Sequence, residues 1–269
     1  MLKPLPQSEQ PLQGAHETLQ AKAVADEAPL SVEAIVEAPI NIVYGGMPYA
    51  VMMATPADLE DFVAGFSLTE GVIETLAQMR DLRFEETQDG WLAHVAISPE
   101  AMQRVLRRKR TLAGRSSCGL CGVESLGDLP RAKPSALRTK VSPEAVVAAR
   151  DALRAYQPLH EMTRAAHGAF WCSIDGEIVL AREDVGRHNA LDKLIGAAAR
   201  AGQEAARGFV LVTSRCSYEM VEKAAAFGAP LLVALSAPTT LAVARARELG
   251  IGLIANARGQ QSVFVAPEV

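Results

Sequence analysis

Two of the four cysteines, Cys118 and Cys121, have C-x-x-C spacing, and a glycine follows each of them. Glycine adds backbone freedom and leaves the neighbouring sulfur atoms little covered, which suits a reactive segment. Five basic residues lie between Arg104 and Arg110, and Arg115 is closer still to the pair. Nearby cations favour the thiolate, which is both the nucleophilic and the metal-binding form of cysteine. The segment therefore indicates sulfur chemistry beside an anionic partner.

The spacing alone leaves three interpretations of the pair. A structural zinc site needs four ligands, so the pair would require a second pair of cysteines or histidines. The sequence contains no such pair, because Cys172 and Cys216 stand alone and the five histidines are not suitably spaced. A structural disulfide is disfavoured because four cysteines without a framework spacing are typical of a reducing compartment. A reactive thiol pair is therefore the favoured interpretation, and no structural metal is expected.

Composition excludes several classes of function. The chain has 269 residues, of which 49% are hydrophobic, so it can bury a substantial core in one or two domains. Its net charge of -4 gives no overall basic field that would attract nucleic acid. The first 29 residues lack the apolar stretch of a signal peptide, and no segment reaches the ~18 apolar residues of a membrane helix. We expect a cytoplasmic globular protein that binds neither nucleic acid nor membrane.

Four segments follow one another along the chain. Residues 1–28 are rich in proline, glutamine and acidic residues without an apolar period, which predicts a flexible tail. Alternating strands and an amphipathic helix with Thr55 as its N-cap predict a small α+β domain over residues 29–110. Two prolines interrupt residues 111–137, which we interpret as the C-x-x-C loop and a connector. Residues 138–269 form the second predicted domain.

The second domain shows a regular alternation of strands and helices. The segments 208–213, 231–235 and 251–255 are almost entirely apolar and are separated by helical patterns, which indicates an α/β fold with a parallel sheet covered on both faces. Ligands bind such sheets beyond the carboxyl ends of the strands. Hydroxyls follow the first two of these strands, and an arginine follows the first and the third. We therefore predict an anion site there, with the candidates Arg215, Ser236, Thr239 and Arg258.

A dense polar block, Glu183–Asn189, precedes another helical pattern. In one interpretation it is a helix start whose charges pair with one another. In the other, Arg187 and His188 are placed to meet a ligand. The sequence leaves both interpretations open.

Several of these segments resemble the FdhD family of proteins. Cys118–Gly122 and Glu183–Lys193 resemble its two hallmark stretches, and the matching region extends from about residue 30 to the C-terminus. Four shorter matches occur in the expected order along the chain: Met53–Pro56, Gly65–Phe66 with Glu70–Gly71, Ser214–Glu219 and Ser236–Thr239.

The resemblance implies a sulfurtransferase that acts as a sulfur carrier for formate dehydrogenase. Such proteins take sulfur from a cysteine desulfurase and pass it to the molybdenum cofactor, in its bis(guanine dinucleotide) form, before insertion into the apoenzyme. The resemblance also implies a homodimer and a cytidine-deaminase-like, three-layer C-terminal domain beside the smaller N-terminal α+β domain. By its place in the motif Cys118 is the expected sulfur carrier, and Cys121 either resolves the persulfide or shares the role.

The cofactor is expected to bind at the end of the last parallel strand. The family usually has an aromatic residue two positions before the arginine of this stretch, where the chain has Asn256. The expected cofactor contacts are Asn256, Ala257, Arg258, Gly259, Gln260 and Gln261, together with Arg215, Ser236, Thr239, Arg187 and His188.

Two other classes of function are considered. A zinc-dependent nucleobase deaminase requires an H-x-E motif upstream of P-C-x-x-C, and the chain has neither. A chaperone that holds the molybdenum cofactor without transferring sulfur would use the same anion site, with cysteines that serve structure or bind zinc. Detection of a one-sulfur adduct distinguishes the carrier from the chaperone.

Overall fold

The computed structural model describes residues 12, 14–25, 27–111, 132, 140–257 and 263–265. These residues form three β-sheets and seven α-helices. The predicted C-x-x-C loop and connector lie outside the described residues, except for Thr111 and Ala132.

The first sheet is a two-stranded hairpin of β1 (His16–Lys22) and β2 (Pro29–Ile35). The prediction of a flexible tail up to residue 28 is therefore wrong for His16–Lys22. Most of β1 is exposed to solvent, so it shows no apolar period that the sequence could reveal. Its backbone hydrogen bonds to β2, rather than burial, hold it in place.

The second sheet contains β3 (Ala38–Tyr44), β4 (Met47–Ala54), β5 (Met79–Thr87) and β6 (Gly90–Ile97), in the order β4-β3-β6-β5. Two helices, α1 (Leu59–Thr69) and α2 (Pro99–Thr111), accompany it. The side chains that alternate inward from β3 and β6 meet the apolar stripes of these helices in one core. Its members include Ile40, Ile42, Phe62, Phe66, Ala93, Val95, Ala101 and Val105.

The third sheet has the order β12-β11-β10-β9-β7-β8. Its strands are β7 (His167–Ser173), β8 (Ile178–Asp184), β9 (Gly208–Val212), β10 (Leu231–Ala234), β11 (Gly252–Ala255) and β12 (Val263–Val265). Strands β9, β10 and β11 pair in parallel, as the sequence predicted, whereas β7 pairs antiparallel with β8 and β9. The buried strands are apolar on both faces.

Helices cover both faces of this sheet. One core lies between the sheet and three helices, α5 (Arg187–Arg200), α6 (Tyr218–Phe227) and α7 (Thr240–Leu249). A second core joins the opposite face to α3 (Pro143–Ala152), and the short α4 (Pro158–Thr163) follows α3. The prediction of a parallel sheet between helices is confirmed.

The two larger sheets are connected through α1 and α5, which cross at two glycines. A Cβ added to Gly65 would lie 1.8 Å from the Asp192 carbonyl oxygen, and one added to Gly196 would lie 1.9 Å from that of Asp61. Because no side chain fits at either position, the helix backbones approach more closely than other residues would allow. Asp61 also pairs with Arg182 of β8, with 2.7 Å between Nη2 and Oδ2.

Candidate functional site

Five chain segments meet at one edge of the third sheet, which we call the carboxyl edge. Strands β9, β10 and β11 all end there, and β8 ends there too because both β8 and β9 are antiparallel to β7. The first residue of β7, His167, lies opposite Asp184 at the end of β8. The sequence-predicted residues that this edge brings together are Arg187, His188, Arg215, Ser236, Thr239 and Asn256.

Backbone hydrogen bonds fix the loops of the edge to one another. The Cys216 N–H donates to the Ala237 carbonyl at 3.2 Å, and the Thr239 N–H donates to the Cys216 carbonyl at 2.9 Å. The next loop is attached in the same way, since the Asn256 N–H donates to the Ser236 carbonyl at 3.1 Å. The positions of the edge side chains are therefore set before any ligand arrives.

Arg215 is exposed, and its side chain has no hydrogen bond or ion pair among the described residues. Two acidic residues that might have neutralised it have other partners. Glu219 accepts from the Ser217 hydroxyl at 2.7 Å, and Glu248 accepts from Arg245 at 2.8 Å. The Arg215 guanidinium is thus available to an anion from solution.

The hydroxyl of Thr239 has a structural role as well as a predicted one. Its oxygen accepts from the Ala242 N–H at 3.1 Å and so caps the start of α7. The hydroxyl proton is still free to donate, because capping uses only the oxygen as an acceptor. Ser236 is half-buried at the end of the neighbouring strand. Both hydroxyls lie at the positive end of a helix dipole, which favours an anion.

The last predicted stretch is described only at its beginning. Asn256 is exposed, with a left-handed backbone (φ 58°), whereas Ala257 is buried. The Ala257 N–H donates to the Ala234 carbonyl at 3.3 Å, and its own carbonyl accepts from Arg150 at 3.4 Å. The structure thus places Ala257 in the core rather than on the surface of the edge. Arg258, Gly259, Gln260 and Gln261 lie outside the described residues, and their contacts stay predictions.

Arg187 and His188 form the first turn of α5. The N-cap residue is Gly186, which offers no side-chain cap to the helix start. The Nε atom of Arg187 and the Nε2 atom of His188 are buried and have no hydrogen-bond partner. These two nitrogen atoms lie at a helix start, where the helix dipole favours an anion.

One carboxylate lies close to this pair. The Nε2 atom of His188 is 3.8 Å from Oε2 of Glu219, a separation that allows an ion pair but is too long for a hydrogen bond. The His188 imidazole and the Ser217 hydroxyl lower the pKa of Glu219 to about 2. Glu219 therefore stays ionised at neutral pH and places a negative charge beside the His188 ring.

His167 is an edge residue that the sequence analysis missed. Burial and the nearby Arg187 guanidinium lower its pKa, so the imidazole is neutral at physiological pH. A neutral imidazole both donates and accepts a hydrogen bond. The sequence contains no signal for this residue, because its pairing with Asp184 depends on the register of β7 and β8.

Other polar residues of the stretch Glu183–Lys193 stabilise the fold. Asp184 and Lys193 are fully buried and form an ion pair, with 2.6 Å between Oδ2 and Nζ. The Thr55 N–H donates to Asp184 at 3.0 Å, and the Asn189 amide donates to the Met53 carbonyl at 2.7 Å. Thr55 was predicted to cap α1, but this is wrong, because its hydroxyl accepts from the Val185 N–H and α1 begins only at Leu59.

A second buried ion pair continues this network. Lys223 of α6 lies 2.9 Å from Asp192, which also accepts from the Thr69 hydroxyl at 2.7 Å. We call the whole network the polar latch, because it joins the end of β4 and α1 to the third sheet and its helices. Its members are Met53, Thr55, Thr69, Asp184, Asn189, Asp192, Lys193 and Lys223. The interpretation that charges of this stretch pair within the fold is confirmed for Asp184, whereas a ligand contact of Arg187 and His188 stays a prediction.

The two described cysteines are unsuited to sulfur transfer. Cys172 and Cys216 are free and buried, and burial raises the pKa of Cys216 to about 12. Neither thiol forms a thiolate readily at neutral pH. Cys172 is a packing residue, since its side chain is fully buried in the core. Cys118 and Cys121 lie outside the described residues.

Metal and membrane sites were also considered. Among the described residues, no group of three or more His, Cys, Asp or Glu side chains is placed to hold a metal ion. Because the C-x-x-C pair is not described, the expectation that no metal is bound stays a prediction. In the part of the chain that the structure describes, no helix is both long and apolar enough to span a membrane.

Comparison with known proteins identifies the family. Residues 35–268 match the model of the FdhD/NarQ family. The chain is 48% identical over 230 residues to the sulfur carrier protein FdhD of Xanthomonas euvesicatoria, a match that covers 84% of this chain and 81% of that protein. It is 47% identical over 235 residues to the protein of the same name from Cupriavidus necator, with 86% and 81% covered.

A solved structure has the same fold. The crystal structure of a protein from Desulfotalea psychrophila, described as a formate dehydrogenase accessory protein, superposes with a TM-score of 0.73 at 23% identity. The superposition covers 94% of this chain and 97% of that one.

Proposed function

Since this chain belongs to the FdhD/NarQ family, we propose that it is a sulfur carrier for the maturation of formate dehydrogenase. A cysteine desulfurase supplies the sulfur, and the bis(guanine dinucleotide) form of the molybdenum cofactor receives it before insertion into the apoenzyme. The proposal is supported by the names of the relatives and, in the structure, by one observation. This observation is the set of unpaired donors at the carboxyl edge, which matches an anionic cargo with several phosphates.

The first chemical step is proposed at Cys118. Its thiolate attacks the terminal sulfur of a persulfide on the desulfurase, which breaks the sulfur–sulfur bond and releases the desulfurase cysteine as a thiolate. Cys118 then carries the persulfide, and no net oxidation or reduction occurs. The basic residues upstream of the pair favour the attacking thiolate over the thiol.

The second step releases the terminal sulfur at the cofactor. We propose that the Cys121 thiolate attacks the Cys118 sulfur, so that the terminal sulfur leaves as sulfide and a Cys118–Cys121 disulfide forms. The two cysteines thereby supply the two electrons that reduce the sulfur. A cellular dithiol reductant then restores both thiols, because a cytoplasmic disulfide does not persist.

The cofactor is proposed to bind along the carboxyl edge. Its phosphates would meet the Arg215 guanidinium, the start of α7 at Ser236 and Thr239, and the stretch from Asn256 to Gln261 that contains Arg258. The donors at the start of α5, Arg187 Nε and His188 Nε2, offer contacts to a second anionic group. Asn256 cannot stack on a base as an aromatic residue would, so hydrogen bonds and charge carry recognition there.

Further parts of the proposal concern fold class and assembly. We assign the third sheet and its helices to the cytidine-deaminase-like class, which the helix–sheet–helix layers support. We further propose that the protein acts as a homodimer in the cytoplasm. Size-exclusion chromatography with light scattering tests the dimer, and metal analysis after chelation tests the prediction that no zinc is bound.

Intact-mass spectrometry tests the sulfur-carrier proposal. The protein is incubated with a cysteine desulfurase and cysteine, and a mass increase of one sulfur atom is expected for the wild type but not for Cys118→Ala. Cys216→Ala is the matched control, because it removes a buried thiol and should leave the adduct unchanged. A protein that gains no sulfur yet binds GDP at the edge would instead be a chaperone for the cofactor.

A further inference from the structure

Glu183 is a buried carboxyl group that binds the start of α4. The residue is the second-last of β8 and is 9% exposed. Its Oε2 accepts from the Leu159 N–H and its Oε1 from the His160 N–H, each at 2.8 Å. Both amides lie in the first turn of α4, where a backbone N–H has no partner within the helix. Glu183 therefore attaches α4 to the third sheet.

The side chain of Glu183 forms no ion pair with any described residue, in contrast to its neighbour Asp184. Lys193 of α5 pairs with Asp184 instead, and its Nζ atom donates only to the backbone carbonyl of Glu183, at 3.3 Å. Both carboxyl oxygens of Glu183 are thus bound by neutral backbone groups. Burial disfavours a charge that no cation compensates, so Glu183 binds a proton more readily than an exposed glutamate does.

The titratable side chains around Glu183 come from three elements. His160 and Glu161 belong to α4, His167 begins β7, and Lys193 belongs to α5. Burial, which has the largest effect, and the Glu161 charge raise the pKa of Glu183 to about 7, against the two backbone hydrogen bonds and the Lys193 charge, which lower it. The ordinary value is 4.5, so Glu183 changes its protonation state near neutral pH rather than in acid.

A short turn connects α4 to the carboxyl edge. The Arg164 N–H donates to the His160 carbonyl at 2.8 Å and ends the helix. The Nδ1 atom of His160 lies 2.9 Å from the carbonyl oxygen of Ala166, the residue before His167. Ala166 also packs with Leu159 in a small core. The residues that hold α4 thus contact the segment that leads directly to His167.

We propose that α4 is a proton-dependent flap, which closes over protonated Glu183 and opens when Glu183 ionises. In the closed state the carboxyl group is buried against α4. Opening admits water to the carboxylate, and the proton that Glu183 releases passes to the solvent. The turn before His167 is freed at the same time, so the opening changes one end of the carboxyl edge. The flap does not depend on the proposed function, because it requires only contacts within the described part of the chain.

The direction of the pH dependence follows from linkage. A carboxyl group whose pKa is raised by burial binds protons more tightly in the closed state than in the open state. Relative to an exposed carboxyl with a pKa of 4.5, the closed state is therefore most stable below pH 4.5. It loses this stabilisation as the pH rises towards 7.

Amide hydrogen exchange measured by NMR at pH 5 and pH 8 tests the flap. After correction for the intrinsic exchange rates, protection of the Leu159 and His160 amides should fall about tenfold or more between these values. The Arg164 amide, at the other end of α4, should lose protection by a similar factor. Equal protection at pH 5 and pH 8 would overturn the flap, and so would a loss confined to the first turn of the helix.

Two isosteric variants assign the pH dependence to one carboxyl group. Glu183→Gln cannot ionise, so the fall in protection should disappear. Glu161→Gln is the matched control, because its carboxylate lies on the same helix but accepts from Arg154 and Arg164 rather than from the first turn. It should retain the fall. The same fall in Glu183→Gln as in the wild type would overturn the role of Glu183. The wild-type series needs no variant and decides the flap even if Glu183→Gln is unstable.

Discussion

The polar latch and the carboxyl edge both contain residues of the stretch Glu183–Lys193. These residues differ in how many hydrogen-bond and ion-pair partners they have within the protein. In the latch, Asp184 and Lys193 are fully buried and each has several partners inside the protein. At the edge, Arg187 Nε and His188 Nε2 are buried without a hydrogen-bond partner, and His188 has only the Glu219 carboxylate nearby, at 3.8 Å. Residues a few positions apart in sequence therefore differ in how fully the protein itself satisfies their polar atoms.

The difference follows from the helix that contains most of these residues. On α5, positions that face α1 and the sheet are enclosed by protein, so a charge there must be paired within the fold. The first turn of α5 lies at the carboxyl edge instead, where solvent or a ligand can approach. The comparison predicts that latch variants change stability and edge variants change binding.

The largest expected effect is that of Lys193→Met on stability. It leaves the Asp184 carboxylate buried without its ion-pair partner, which should lower the free energy of unfolding by about 3–5 kcal/mol. Urea denaturation followed by circular dichroism measures the change. The double variant Asp184→Asn with Lys193→Met removes both charges and should recover part of the loss. A Lys193→Met protein as stable as the wild type would contradict the role of the latch.

The sequence predicted the parallel sheet well because its signal is local. The three strand segments, 208–213, 231–235 and 251–255, are almost entirely apolar. A helix whose ends are recognisable in the sequence lies between each strand and the next. The hairpin strand β1 was missed because an exposed strand has no such period. Thr55 was wrongly predicted to cap α1 because its real partners, Asp184 and Val185, are 129 and 130 residues away.

The candidate site was predictable to a similar degree. Strand ends in a parallel sheet converge, so the positions of Arg215, Ser236 and Thr239 followed from topology alone. The sequence could not separate Arg187 and His188 from Asp184 and Lys193, because burial is a property of the packed helix. His167 reaches the edge through an antiparallel pairing whose register the sequence does not reveal.

A smaller effect, on binding alone, is expected at the edge. Arg215→Ala should weaken GDP binding about tenfold or more, because a charge-assisted hydrogen bond to phosphate contributes about 1.5–3 kcal/mol. The melting temperature should hardly change, since the Arg215 side chain has no partner among the described residues. Isothermal titration calorimetry with GDP measures the affinity.

Arg207→Ala is the matched control for Arg215→Ala. Arg207 is also exposed, but it precedes β9 at the opposite edge of the sheet and pairs with Glu204. GDP affinity should be unchanged in this variant. If both variants bind GDP as the wild type does, the anion site lies elsewhere than at Arg215, and Arg258→Ala becomes the next variant to titrate.

The smallest expected effect is the acid dependence of Glu219→Gln. The His188 imidazole and Ser217 hydroxyl lower the pKa of Glu219 to about 2, from 4.5 in the unfolded chain. A lowered carboxyl pKa stabilises the folded state above pH 4.5, and this stabilisation is lost as the pH falls from 4.5 towards 2. Because the Glu219 side chain is 27% exposed, solvent screening reduces this stabilisation to about 1 kcal/mol.

Denaturation at pH 6 should therefore find Glu219→Gln less stable than the wild type, and the difference should vanish near pH 2. A loss of the same size and pH dependence in Glu204→Gln, an exposed control, would show that the effect is not specific to the edge.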